Sequence, residues 1–471
     1  MTLKASDLNQ TSLSDLPSIH VVGAGGAGMN AIAAVLLSMG HSVSGSDLRE
    51  SAGVSRLRSM GARIEVGHHA GNIGDASIIC RSTAVPDSNV EIQAALDARR
   101  VVLSRAEILA AICSTKQTIA VAGTHGKTTT SSMLALALTA AGLAPSFIVG
   151  GDLNDIGSGA VWNDQGDLFV VEADESDGTF LKVGAATAVV TNLESDHLDY
   201  FGTYEALVHA FTDFLKAVDG PRIVCIDDPG AAELAAEVGE CLTYGTAESA
   251  DYRVVGIVTS RYTSTFELIR EGKRITKIEL PVPGLHNVLN ATAAFATSVE
   301  MGADPELVTT ALARFAGVAR RFEFRGEDQG VVYVDDYAHL PTEVTAVLAA
   351  AKAGEWDRIV AVFQPHRYSR TAELWREFSD SFVDADHIVL TGVYGAGESP
   401  RPGITGELLV RAILDDHPKS SITYLPGREQ VADYLDSILR PGDLCLTMGA
   451  GDLTSVADEV QSRRRPRKQP Q

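Results

Sequence analysis

An apolar run, Thr118 to Ala122, enters Gly123-Thr124-His125-Gly126-Lys127-Thr128-Thr129-Thr130, and a helix-forming run, Ser131 to Ala141, leaves it. Strand, glycine turn and helix in that order open a βαβ unit, which commits this part of the chain to a parallel sheet covered by helices. Gly123 and Gly126 let the backbone turn tightly, so that N–H groups at the helix start point at one anion. Lys127 adds a full positive charge, and Thr128 offers a hydroxyl to a divalent metal. The segment therefore reads as a cradle for a nucleoside triphosphate. The general pattern has a glycine five residues before Gly126; here Val121 stands in that place, so the loop is shorter than the common form.

Two further strand–turn–helix units flank this one. The first opens with Ile19 to Val22, runs into Gly23-Ala24-Gly25-Gly26-Ala27-Gly28, and continues as an Ala-rich helix from Met29 to Met39. A second strand, His41 to Gly45, leads to Asp47, placed 19 residues after Gly28, where a ribose hydroxyl would sit. This is a dinucleotide-type fingerprint, and an NAD-dependent enzyme and a nucleotide-sugar binder fit it equally well. The unit is expected to end near Ile112. The last unit starts around Phe322 and repeats one pattern, an apolar strand followed by a polar cluster. Val331 to Val334 leads to Asp335-Asp336-Tyr337-Ala338-His339, and Ile359 to Phe363 leads to Gln364-Pro365-His366-Arg367-Tyr368-Ser369-Arg370. The fold class expected is α/β, with doubly wound Rossmann-like sheets on either side of a central P-loop ATPase domain.

In the central unit, Leu168 to Val171 runs into Glu172-Ala173-Asp174-Glu175, and Ala188 to Val190 into Thr191-Asn192-Leu193-Glu194-Ser195-Asp196-His197. Strand C-termini of a parallel sheet share one edge, so Thr128, Glu172 and His197 are expected to converge. Hydroxyl, carboxylate and phosphate oxygens suit Mg²⁺, and a neutral imidazole can complete a second metal position. His286, Asn287 and Asn290 crowd one helix start, more polar groups than a cap requires, which suits reading a purine edge. Arg367 and Arg370, three apart, are expected on one face of a helical turn, where they could hold a carboxylate.

Composition narrows the partners. A net charge of −22 argues against nucleic acid or anionic membrane, so a polyanionic substrate must be held by local cations and metal. The five cysteines are scattered without metal spacing, as in reduced cytosolic proteins. Neither a secretory signal nor an apolar run of about 18 residues is visible, and a cytoplasmic location is expected. A basic, disordered tail is expected over 461–471.

Taken together, Gly-Thr-His-Gly-Lys-Thr-Thr-Thr, Glu-Ala-Asp-Glu-Ser-Asp, Thr-Asn-Leu-Glu-Ser-Asp-His, Gly-Leu-His-Asn-Val-Leu-Asn and Arg320-Arg321-Phe322-Glu323 resemble the Mur ligases of peptidoglycan synthesis. The Gly-Ala-Gly-Gly-Ala-Gly-Met opening and Phe-Gln-Pro-His-Arg-Tyr-Ser-Arg-Thr resemble the member that adds the first amino acid. The motifs run in order from about residue 20 to 455, nearly the whole chain. The resemblance implies a UDP-sugar domain over 17–112, an ATP domain over 113–321 and a C-terminal ligase domain over 322–460. It implies ATP, Mg²⁺, UDP-N-acetylmuramate and L-alanine as ligands, with the lactyl carboxylate activated as an acyl phosphate, in a monomer or weak homodimer. By the same resemblance Gly123 to Thr129 bind ATP, with Lys127 on the β and γ phosphates. Thr128 and Glu172 hold one Mg²⁺, and His197 a second. Asn287 meets the base and Arg321 reaches phosphate. Gly23, Gly25, Gly26, Gly28 and Asp47 hold the UDP-sugar, and His339, His366, Arg367 and Arg370 line the alanine and product site. Leu340 departs from the family run, which commonly has a second histidine there. The rival readings are a tripeptide-accepting recycling ligase of the same superfamily, a nucleotide-sensing module without turnover, and an NAD-dependent oxidoreductase.

Overall fold

The computed structural model describes residues 18–464. By internal packing the chain divides into two compact units. The first runs to Val255 and adds Glu267–Ile278 and Leu289–Arg314; the second holds Gly256–Phe266, Glu279–Val288 and the chain from Phe315 onward.

The first sheet comprises Ser18–Val22 (β1), Ser42–Asp47 (β2), Arg63–Val66 (β3), Ile78–Arg81 (β4) and Val101–Ser104 (β5). Its order is β3-β2-β1-β4-β5, and all four pairings are parallel. Ile19, Val21 and Val22 are completely buried, as a strand covered on both faces requires. The order reverses between β1 and β4, which opens a crevice at the strand ends. The glycine turn after β1 sits there and runs into the helix Ala27–Ser38.

The second sheet has ten strands: Gln117–Ala122 (β6), Ser146–Leu153 (β7), Ser158–Val161 (β8), Leu168–Glu172 (β9), Thr187–Val190 (β10), Arg222–Cys225 (β11), Leu242–Gly245 (β12), Tyr252–Thr259 (β13), Ser264–Arg270 (β14) and Lys273–Leu280 (β15). The order is β15-β14-β13-β12-β11-β10-β6-β9-β7-β8. From β12 to β7 the neighbours are parallel, and β8 closes that edge antiparallel to β7. The third sheet comprises Glu323–Asp328 (β16), Val331–Asp336 (β17), Arg358–Phe363 (β18), His387–Thr391 (β19), Ile422–Leu425 (β20) and Asp443–Met448 (β21), in the order β16-β17-β21-β18-β19-β20. Only its edge pair β16–β17 is antiparallel.

One expectation is corrected at the C-terminus. Gln461 to Arg464 are not tail but the last turn of the helix Val456–Arg464. Arg463 pairs with Asp433 at 3.0 Å and Arg464 with Asp436 at 2.9 Å, and basic residues at a helix end also complement its dipole. The rest of the expected tail, 465–471, lies outside the described residues. Four of the five cysteines are buried, and all five are free thiols. Among the described residues no helix is long and apolar enough to cross a membrane.

Candidate functional site

In the first unit, Val121 pairs with Glu172 and Ala122 with Val190, in parallel register. Strands β9, β6 and β10 therefore end at one level, and their following loops share an edge. The helix Lys127–Ala140 starts from Gly126, which adopts a left-handed φ of 78°. Lys127 Nζ donates to the carbonyls of Gly123 at 2.6 Å and Thr124 at 3.2 Å, and to both carboxylate oxygens of Glu175 at 2.9 and 2.8 Å. Burial works against the ammonium charge, but Glu175, Asp174 and Glu172 together hold its pKa above the ordinary lysine value. Burial likewise pushes the Glu175 carboxyl up, against the pull of Lys127.

Thr128 Oγ1 donates to Glu172 Oε1 at 3.1 Å, while Glu172 Oε2 accepts from the Gly150 N–H at 2.7 Å. His197 sits at a left-handed φ of 56°, with Nε2 at 3.3 Å from Asp196 and 3.7 Å from Glu175. The expected convergence of Thr128 and Glu172 is therefore direct, and His197 reaches the same cluster through Glu175. Among the described residues no three His, Cys, Asp or Glu side chains are grouped as a metal cage. A cation here would take a hydroxyl and phosphate oxygens alongside carboxylate.

Sequence reasoning left Glu175 undecided and assigned nothing to Asn192 or Glu194. The structure gives all three a place. Asn192 Oδ1 accepts from the His125 N–H at 2.7 Å, and the Glu194 N–H donates to Thr124 Oγ1 at 2.9 Å. His125 Nε2 lies 3.2 Å from Glu194, so the run after β10 clamps the phosphate loop along its length. Asn290 accepts from Thr130 Oγ1 at 3.1 Å and packs on Gly126, which makes it a support of the helix start. Thr129 is buried in the first turn of that helix.

The first glycine turn is held from below. The Gly23 and Ala24 N–H groups donate to Ser46 O at 2.8 and 3.0 Å, and the Gly25 N–H donates to Asp47 Oδ2 at 2.8 Å. The carboxylate expected near a ribose thus braces the turn that carries Gly26 and Gly28. Beneath it, buried Glu91 accepts from His20 Nε2 at 3.3 Å, the His69 N–H at 3.0 Å and Asn72 Nδ2 at 2.6 Å. Burial opposes this charge, yet those bonds and one from Ser46 hold the carboxyl down at about 2.

In the second unit, Asn287 is buried with Nδ2 donating to Pro283 O at 2.7 Å, closing its own helix start. His339, His366 and Arg370 come together. The two imidazoles meet edge to face at 5.8 Å, His366 stacks on Tyr394 at 5.8 Å, and Arg370 donates to His366 Nδ1 at 3.2 Å. An arginine donor leaves Nδ1 as acceptor, so the neutral ring carries its proton on Nε2. The expected helical face of Arg367 and Arg370 is corrected. Arg370 lies on the helix Tyr368–Leu374, but Arg367 precedes it with a left-handed φ of 67° and an exposed side chain. The Arg367 N–H is drawn to Tyr394 O at 2.8 Å, and that bond turns the residue out of the helix. Leu340 packs into the core beneath this cluster, so an apolar group turned inward replaces the second imidazole. Arg321 lies over Tyr337 at 5.2 Å.

Burial lowers His286 to about 4, with Arg321 adding to the effect, and lowers His366 to about 3, with His339, Arg370 and Arg367 adding. Both rings bind protons more readily when unfolded, so each makes stability rise with pH across the window from its folded value to 6.5. Burial raises Asp336 to about 6, against the pull of Arg321 and hydrogen bonds from Phe322 and Ala338. That carboxyl acts in the opposite sense from 3.8 to about 6, because the unfolded form ionises first. Two histidines outweigh one carboxyl. Melting curves at pH 7 and pH 5 should therefore show a lower midpoint at the acid pH, and the fall should be steeper in Asp336→Asn. A shallower fall in that variant would refute the assignment.

Comparison with known proteins places this geometry. The Mur ligase family, catalytic domain, matches residues 18–117; the Mur ligase middle domain matches 121–298; the Mur ligase, glutamate ligase domain, matches 320–451. A UDP-N-acetylmuramate–L-alanine ligase of Solidesulfovibrio magneticus is 47% identical over 93% of this chain and 96% of its own. The protein of that name from Thermobifida fusca is 44% identical over 94% of this chain and 96% of its own. The crystal structure of a UDP-N-acetylmuramate–alanine ligase from Thermotoga maritima superposes with a TM-score of 0.80 at 30% identity, covering 95% of this chain and 98% of that one. A murein peptide ligase from Psychrobacter arcticus shares the fold, with a TM-score of 0.68 at 24% identity over 95% of this chain and 98% of that one.

Proposed function

This chain belongs to the Mur ligase family, and we propose that it is the ATP-dependent ligase that joins L-alanine to the lactyl carboxylate of UDP-N-acetylmuramate in peptidoglycan synthesis. The observation that carries this reading is the phosphate loop, with a lysine paired to buried Glu175 and with Thr128, in the helix that follows β6, bonded to Glu172 at the end of the adjacent parallel strand β9. The relatives at 42–47% identity share one activity in their names, so a tripeptide acceptor is not favoured. We assign the UDP-sugar to 17–112, ATP to 113–321 and the final ligase domain to 322–460.

A carboxylate is a poor acyl donor. Transfer of the γ-phosphoryl group of ATP to the lactyl oxygen gives an acyl phosphate and ADP; the alanine amine then attacks the acyl carbon, and phosphate leaves. Two anions must first meet, so cations dominate the work. Lys127 offsets β- and γ-phosphate charge. The Thr128 hydroxyl and Glu172 carboxylate form a hard oxygen donor set that fits Mg²⁺, with His197 serving a second ion. Bound Mg²⁺ supplies charge that offsets the triphosphate and the developing acyl phosphate. Arg370 and Arg367 provide the charge for the alanine carboxylate. His366, kept neutral, can donate a hydrogen bond from Nε2 without adding repulsion between cations.

The test is phosphate release with ATP, UDP-N-acetylmuramate and L-alanine each omitted in turn. Release should need all three; release that requires a tripeptide and ignores L-alanine would overturn the reading. For His197→Ala, turnover is expected to fall at least by the roughly 10–100-fold that loss of an outer metal partner costs. Its Mg²⁺ titration should move to higher concentration. An unchanged titration would remove His197 from the metal site.

A further inference from the structure

Arg105 is the first residue of the helix Arg105–Cys113, whose start is fixed by a capping box between Ser104 and Glu107. Its side chain leaves that helix and crosses the first glycine turn. A Cβ added at Gly28 would lie 3.0 Å from Arg105 Nε and 3.6 Å from Cζ, so the guanidinium lies directly on the third glycine of the fingerprint. Its far edge points elsewhere. One terminal nitrogen is 3.2 Å from Asp177 Oδ2 and 4.0 Å from Asp174 Oδ2, in the acidic segment that follows β9.

The same turn has already used its early N–H groups. Those of Gly23 and Ala24 go to Ser46 O, that of Gly25 to Asp47, and that of Gly26 to Gly23 O at 3.3 Å. An anion seated there meets the start of the helix Ala27–Ser38 and the guanidinium of Arg105. A guanidinium has five donors in a planar fork, enough to serve an anion on one edge and a carboxylate on the other.

The acidic segment is where such sharing has a consequence. Between Glu172 and Asp177 the backbone is irregular, and side-chain ties set its course. Asp177 Oδ1 accepts from the Thr179 N–H at 3.0 Å, and Asp174 Oδ1 from the Ser176 N–H at 3.0 Å. Glu172 meets Thr128, Glu175 meets Lys127, and Asp177 meets Arg105. One short run of chain thus links the phosphate loop to the first glycine turn.

We propose that Arg105 is a positioning residue that couples the two substrate sites: a diphosphate on the Gly23–Gly28 turn shares the guanidinium with Asp177 and so orders the Glu172–Asp177 segment beside the phosphate loop. The inference rests on the ligase reading and names the residue through which the sugar nucleotide affects the triphosphate. Binding of one ligand then tightens the other, by the same factor in each direction.

The experiment is calorimetric titration of the full chain with a non-hydrolysable ATP analogue and Mg²⁺, with and without saturating UDP-N-acetylmuramate. In the unaltered chain the sugar nucleotide should tighten the analogue by about fivefold or more, the lower end of ordinary coupling. In Asp177→Asn the affinity for UDP-N-acetylmuramate alone should stay within about twofold, while the coupling falls below about twofold. Arg105→Lys keeps the charge but loses the fork; it should lose the coupling and keep part of the sugar-nucleotide affinity. Coupling that persists in both variants overturns the proposal, as does binding of both ligands to the unaltered chain with no coupling. An unaltered chain that binds neither ligand would overturn the ligase reading itself, a result distinct from either.

Discussion

Replacing Lys127 with alanine is expected to lower kcat/KM for ATP by at least about 100-fold, roughly 3 kcal/mol of transition-state stabilisation. The ammonium is held by two loop carbonyls and a carboxylate, so it sits where the loop turns rather than sweeping a wide volume. A charge fixed before the substrate arrives needs no reorganisation as phosphoryl charge moves, which is the condition under which such groups act most strongly. Near-normal phosphate release by a folded Lys127→Ala protein would sink the role.

The same substitution carries a second cost that must be separated from the first. Glu175 is 2% exposed, and without Lys127 its buried carboxylate loses its close partner and keeps only the His197 ring at 3.7 Å. Breaking a buried pair from one side typically costs about 3–5 kcal/mol. Stability should therefore fall with activity in Lys127→Ala. In Lys127→Met combined with Glu175→Gln, much of the stability should return while activity stays low. Denaturant unfolding and phosphate release on the two proteins make the distinction. Activity returning along with stability would mean that the lysine matters for folding rather than for catalysis.

How legible the site was depends on how local its signals are. The strand-to-loop junctions at Ala122, Glu172 and Val190 stand out because each is an apolar run that stops at a polar cluster, and parallel register does the rest. The brace roles of Asn192, Glu194 and Asn290 were not legible, because each depends on a residue more than 60 positions away. Arg105 was invisible for the same reason: it reads as an ordinary first-turn helix residue until β5 is set beside β4 and the turn after β1. The strands β13 to β15 also escaped notice. They are joined by turns too short for a crossover, and their alternating exposure lacks the solid apolar runs of the buried strands. Arg367 was misread because a three-residue spacing signals a shared face only inside a helix, and its φ lies outside one.

Gly123→Ala tests whether the clamp on the phosphate loop matters, and its effect should rival that of losing Lys127. Gly123 has a φ of 127°, a region closed to side-chain-bearing residues, at a cost of about 1–3 kcal/mol for any substitution. The added Cβ would also overlap the Thr191 side chain and lie 2.9 Å from Asn192 O and 3.0 Å from the Thr191 nitrogen. Two of those neighbours are backbone, so the loop must move rather than a side chain swing aside. Asn192 O also accepts from the Thr124 N–H at 3.2 Å, so any separation of the two segments undoes the stitching around Lys127. A displacement of about 1 Å at reacting groups is enough for roughly 100-fold in rate. Gly142 supplies the control: its φ is also positive, at 78°, but a Cβ there meets nothing within 4 Å. Gly142→Ala should cost about 1 kcal/mol of stability and leave ATP turnover unchanged, because it adds strain without touching the loop. If the two alanine variants lose activity equally, or if Gly123→Ala keeps full activity, the close approach of Thr191 and Asn192 does not hold the loop in its working shape.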